Sequence, residues 1–104
     1  MKREKSKKGK YACPCCGYAT LDEVNDYEIC KICYWEDDGQ DDPKADESWG
    51  GPNLTSLSQA RINFLQVGAS DPKDLPHIKA PESKDINIRN YKLVNGKAVA
   101  RTNT

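Results

Sequence analysis

Cys13, Cys16, Cys30 and Cys33 form two C-x-x-C pairs with thirteen residues between them. Four thiolates in this arrangement are the ligand set of a structural tetrahedral Zn²⁺ site. Two cysteines three positions apart on a tight turn can aim both sulfurs at one ion, while the backbone N–H groups between them soften the thiolate charge. Pro14 presets one dihedral of the first turn, and Gly17 lets the chain leave it in a conformation open to few other residues. Tetrathiolate geometry also serves iron, so spacing alone does not choose the metal. Four sulfurs leave no open position for water, and the single histidine, His77, has no Ser, Asp or Glu placed around it by a catalytic motif. The expectation is therefore a metal-binding chain that is not an enzyme.

Cys15 makes the cysteine count five. It lies between two ligands, where its sulfur is expected to turn away from the ion and pack. A redox-active thiol and a ligand exchange with Cys16 are the alternatives. An odd count fits a disulfide framework poorly and favours a reducing, cytoplasmic setting.

The elements that position the sulfurs follow from the flanks. Tyr11-Ala12 is expected to lead into the first knuckle as a short strand and Tyr18–Leu21 to lead out. Asp22–Asp26 reads as a turn, and Tyr27-Glu28-Ile29 as the return to the second knuckle. Tyr11, Tyr18, Tyr27, Tyr34 and Trp35 are read as rings that shield the site, with a stacking platform for bases as the sharper alternative. Leu57–Val67 reads as a helix: Ser56 with Gln59 makes a capping box, and Gly68 stands where a helix ends. Its inner face is expected to carry Leu57, Ala60, Phe64 and Val67, widened by Ile62 and Leu65, with Arg61, Asn63 and Gln66 outside or on the rim. Asn95-Gly96 between Tyr91–Val94 and Lys97–Val99 signals a second, C-terminal hairpin.

The expected fold is a small α+β metal-stabilised domain: a zinc-ribbon-like β-hairpin, one packed α-helix and a possible C-terminal hairpin. Its divisions are a basic flexible tail at 1–10, the metal domain at 11–81 and an extension at 82–104. Only seventeen of 104 residues are Leu, Ile, Val or Phe, so the metal is expected to supply much of the folding free energy. Sixteen basic residues balance sixteen acidic ones. No apolar run is long enough to cross a bilayer.

Charge is segregated all the same. Residues 1–10 carry six Lys or Arg against one Glu, a solvated tail or an arm for nucleic acid or an acidic surface. Glu36–Asp42 is acidic, but its spacing does not match a calcium loop. It is read as a solvated loop that could meet the basic tail or a basic partner.

These residues together resemble the bacterial cysteine-rich CPCC family. The resemblance rests on Cys13-Pro14-Cys15-Cys16-Gly17, then Cys30-Lys31-Ile32-Cys33-Tyr34-Trp35-Glu36-Asp37-Asp38-Gly39. It continues through Asn53–Phe64, Gly68-Ala69 and Pro76-His77. It implies a bacterial zinc-ribbon-like domain with no assigned activity. The knuckles also look like those of rubredoxin, which hold one iron and pass electrons, although Tyr34 stands where that knuckle carries glycine.

The leading functional expectation is a structural zinc protein with Cys13, Cys16, Cys30 and Cys33 as ligands, acting as a protein-interaction module. The alternatives are a nucleic-acid-binding ribbon that uses the basic arm and a rubredoxin-like iron protein.

Overall fold

The computed structural model describes residues 3–101. Strand β1, Tyr11–Ala12, pairs antiparallel with β2, Ala19–Leu21, placing Tyr11 opposite Leu21 and Ala12 opposite Ala19. This pair flanks the first knuckle. The second knuckle is flanked by a single antiparallel bridge, Ile29 to Glu36. Each knuckle thus closes its own small hairpin. Tyr27–Ile29 is not a strand returning along β2, because Asn25 and Tyr27 both have left-handed backbone (φ 58 and 59°). The turn is tied instead by Glu28, whose carboxylate accepts from the N–H groups of Asp22 and Glu23.

Helix α1 spans Leu57–Val67. Ser56 caps it by accepting from the Gln59 N–H at 3.1 Å. The Gln59 side chain donates to Asn63 rather than back to Ser56, so the capping box is one-sided. Gly68 ends the helix at φ 93°, its N–H donating to the Phe64 carbonyl. Leu57 and Ala60 are buried against the cysteines, Leu21, Ile32 and Trp35, and Phe64 packs partly on that core. Two assignments of the helix face are reversed. Val67 is exposed, and Arg61 is only 5% exposed, because its guanidinium finds the Pro14 carbonyl and Asp42 on the inner side. A 3-10 helix at Pro72–His77, capped by Asp71, follows α1.

The C-terminal hairpin is formed by β3, Tyr91–Val94, and β4, Lys97–Ala100, in regular antiparallel register. Asn95 and Gly96 supply the two positive φ angles that the tight turn needs. The hairpin packs on α1. Leu93, Val94 and Val99 stay 40–42% exposed, so it adds little to the core.

The basic segment is folded from Arg3 onward, in place of a solvated tail. Lys5 bridges to Tyr11, the Ser6 N–H donates to the Lys10 carbonyl, and the Ala12 N–H donates to the Glu4 carbonyl. Met1 and Lys2, the first residues of the expected arm, lie outside the described residues.

Candidate metal centre

The two knuckles are built alike. In the first, Gly17 N–H donates to the Cys13 carbonyl (2.8 Å) and Cys13 N–H to the Tyr18 carbonyl (2.9 Å). In the second, Tyr34 N–H donates to the Cys30 carbonyl (2.8 Å) and Cys30 N–H to the Trp35 carbonyl (2.9 Å). Gly17 and Tyr34 occupy equivalent left-handed positions, with φ 82 and 69°. A non-glycine residue there costs roughly 1–2 kcal/mol. At Tyr34 a ring stack with His77 opposes that cost, with centroids 5.2 Å apart and an interplanar angle of 26°.

These turns bring the sulfurs of Cys13, Cys16, Cys30 and Cys33 within 4.8 Å of one another. Cys13 Sγ to Cys33 Sγ is 3.6 Å and Cys16 Sγ to Cys30 Sγ is 3.7 Å. A tetrahedron with metal–sulfur bonds of about 2.3 Å has edges of about 3.8 Å, so the four sulfurs fit one ion. A disulfide would need about 2.05 Å. All four residues are buried. Burial pushes the Cys13, Cys16 and Cys33 thiols well up. Cys30 is held well below the ordinary thiol range by hydrogen bonds from Cys13, Cys16 and Cys33, with Thr20 adding to them. The Thr20 hydroxyl lies 3.1 Å from Cys30 Sγ. Four thiolates can share this enclosed space only with a cation to compensate them.

Cys15 stands apart from the four clustered cysteines. Its residue is 1% exposed and belongs to the core cluster, and burial raises its thiol pKa. It lines a cavity of about 190 Å³ with Phe64 and Tyr91. His77 is likewise no part of the cluster and serves as the stacking partner of Tyr34. Of the five rings expected around the site, Trp35 is buried and Tyr11 and Tyr18 pack on the core, whereas Tyr27 is exposed.

The knuckle is held from outside by residues that its own spacing does not reveal. Arg3 Nη1 donates to the Ala12 carbonyl and Arg61 Nε to the Pro14 carbonyl. Asn87 Nδ2 donates to the Cys16 carbonyl, and the N–H groups of Ile88 and Arg89 donate to the Gly17 carbonyl. Each of these carbonyls has thereby found a partner, as buried backbone requires.

The three arginines are neutralised by the segment that was expected to be a solvated acidic edge. Arg3 reaches Asp37 at 3.1 Å and Asp41 at 2.8 Å. Arg61 meets Asp42, and Arg89 meets Asp41 and Glu4. Asp37 is 0% exposed and also accepts from the N–H of Asn25. The basic tail thus meets the acidic loop through one arginine. A signal for this network was present: the chain has only four arginines among sixteen basic residues, and arginine is the side chain suited to buried, forked ion pairs.

The family model described as cysteine-rich CPCC matches residues 11–85. The chain belongs to the cysteine-rich CPCC family. The matched span of this CPCC chain holds the four clustered cysteines, Thr20 and α1, but stops short of Asn87–Arg89, which cap the first knuckle. No curated protein and no solved structure matches the chain. No helix among the described residues is long and apolar enough to cross a membrane.

Proposed function

We propose that this CPCC chain is a structural zinc protein of the cytoplasm that presents its folded surface to another protein. The observation that carries the reading is the enclosed four-sulfur cluster of Cys13, Cys16, Cys30 and Cys33. Four protein ligands fill a tetrahedral site, which suits a metal that holds a fold rather than one that activates a substrate. When bound, the ion supplies charge compensation and a cross-link between the two knuckles. The chain's own residues do the rest. Thr20 donates toward Cys30, and Arg3, Arg61 and Asn87 fix the knuckle carbonyls.

The test is metal content followed by partner capture. The full chain should carry one zinc. A protein partner crosslinked to the loaded chain should survive nuclease treatment and be lost with Cys33→Ser. Capture that disappears on nuclease treatment would contradict the protein-module reading.

A nucleic-acid role has one observation in its favour. Lys8, Lys10, Lys31 and Lys84 flank a single groove of about 310 Å³ beside the first knuckle. Three of them are already paired, with Asp22, Asp85 and Glu82, and this places the reading second. It predicts binding of a labelled single-stranded 20-mer whose affinity falls steeply with salt. Lys8→Ala should then reduce the log–log slope by about 0.7.

A further inference from the structure

The C-terminal hairpin lies beyond the matched span and adds little to the core. Its register fixes which backbone groups point outward. Val94 faces Lys97 across the two-residue turn, and the Arg101 N–H donates to the Asn90 carbonyl at 2.9 Å. Hydrogen-bonded pairs alternate along an antiparallel ladder, so Val94–Lys97, Lys92–Val99 and Asn90–Arg101 are the bonded ones. Ala98 and Ala100 of β4 therefore turn their N–H and C=O groups away from β3. Neither residue finds a backbone partner on that side among the described residues. A strand edge of this kind is a template for one more strand. The other edge carries the larger side chains of Tyr91 and Leu93.

Charge states what the added strand should carry. No acidic residue occurs from Ile86 to Arg101. Lys92, Lys97 and Arg101 form no ion pair among the described residues. Asp46 and Glu4 border the hollows at the two ends of β4, but Asp46 accepts from the Ser58 hydroxyl and Glu4 pairs with Arg89. The face that holds Tyr91 turns toward α1, with Arg61 over the ring. Alternation puts Lys97, Val99 and Arg101 on the opposite face, where Lys92 stands across from Val99 and Val94 across from Lys97. Cations and half-exposed valines are thus interleaved beside an open backbone edge. A nucleic acid would use the cations and leave the valines and the edge unmatched. A second copy pairing through both Ala98 and Ala100 would set Lys97 opposite Arg101, like charge against like.

We propose that β4 is a docking edge for an extended acidic segment of a partner protein. The segment pairs antiparallel with β4 and sets an acid, an aliphatic residue and an acid, at alternate positions, opposite Arg101, Val99 and Lys97. Its backbone accepts from the N–H groups of Ala98 and Ala100 and donates to their carbonyls. Main-chain bonds then supply affinity and the alternate side chains supply specificity.

The inference rests on the protein-module reading and can fail separately from it. The test follows amide exchange by NMR in the full, zinc-loaded chain. The probes are blocked heptapeptides, Thr-Glu-Thr-Val-Thr-Glu-Thr and its counterpart with lysine for glutamate. With the acidic peptide at ten times its Kd, exchange at Ala98 and Ala100 should slow about tenfold, while Lys97 and Val99, already bonded to β3, change little. The lysine peptide should bind at least about tenfold more weakly, because two opposite-charge pairs become like-charge pairs. Lys97→Glu combined with Arg101→Glu should reverse that preference. Ala100→Pro removes one outward donor from the edge and should weaken the acidic peptide while the hairpin's cross-strand contacts persist. Unchanged exchange at Ala98 and Ala100, or equal binding of the two peptides, would overturn the proposal. So would protection by a labelled single-stranded 20-mer in place of the peptide, or protection that grows with the concentration of the chain alone, which would assign the edge to a second copy. A captured protein partner indifferent to Lys97→Glu with Arg101→Glu would sink the docking edge alone. A peptide response from a chain that captures no protein would sink the module reading alone.

Discussion

The carbonyl oxygen of Arg89 lies 1.6 Å from where a Cβ on residue 17 would sit, so Gly17 and Arg89 touch backbone to backbone. This contact joins the first cysteine knuckle to a segment more than seventy residues away in sequence. It makes Gly17 necessary twice over, for its positive φ and for the space it leaves. Gly96 shares the positive φ but has nothing within 4 Å of its would-be Cβ.

Gly17→Ala and Gly96→Ala therefore form a matched pair. Both pay the left-handed cost of about 1–2 kcal/mol; only Gly17→Ala must also push Arg89 away. Chemical denaturation of the metal-loaded chain should find Gly17→Ala less stable than Gly96→Ala by at least another ~2 kcal/mol. Equal losses would show that the Gly17–Arg89 approach contributes nothing.

Arg3 is the N-terminal half of the same arrangement. Arg3→Ala leaves Asp37 buried and short of its cation, and breaking a buried pair costs about 3–5 kcal/mol. The loss should be smaller than for a fully orphaned charge, because the Asn25 N–H still donates to Asp37. The checking measurements are the denaturation midpoint and the rate at which a chelator removes metal, which should rise. A variant with unchanged stability and release rate would mean that the folded N-terminal segment is incidental.

Acid should undo the Arg89 end. Burial acts to raise the pKa of Asp41 and of Glu4, but hydrogen bonding and the charge of Arg89 prevail and leave both below the ordinary range. Depressed folded values mean that their stabilisation is complete above the unfolded pKa, about 4, and is lost as pH falls through the folded values. The stability difference between the chain and Asp41→Asn should accordingly be constant from pH 7 to about 5 and shrink below about 4. Comparing the two proteins at each pH cancels the proton-driven loss of metal that both share. A difference that grows in acid would reverse the assigned sign.

His77 and Cys15 separate packing from ligation. His77→Ala removes the stack that opposes strain at Tyr34, and should cost about 0.5–1.5 kcal/mol without changing metal stoichiometry. Cys15→Ala should likewise retain one metal per chain. Loss of metal in either variant would return that residue to the ligand set.

Much of the site was legible because its determinants are local. Cys13, Cys16, Cys30 and Cys33 declare themselves by spacing within each turn, as do the Ser56 and Gly68 caps of α1 and the Asn95-Gly96 turn. What was not legible depends on distant pairings. Arg61 reads as a rim residue by helical period, and turns inward only because Pro14 and Asp42 lie opposite it. Asp37 and Asp41 read as a solvated edge until Arg3 and Arg89 arrive from the two ends of the chain. Tyr27 fails as a strand residue because a left-handed backbone within the turn is invisible to alternation of residue types.

The most direct test of the account is metal content and visible absorbance of the full chain purified without added metal, beside Cys33→Ser. One colourless zinc per chain, with loss of metal and unfolding in Cys33→Ser, is the predicted result. A red, reversibly reducible iron form would keep the four-sulfur site but contradict the structural zinc reading. A well-folded chain with no metal would contradict the account at its root.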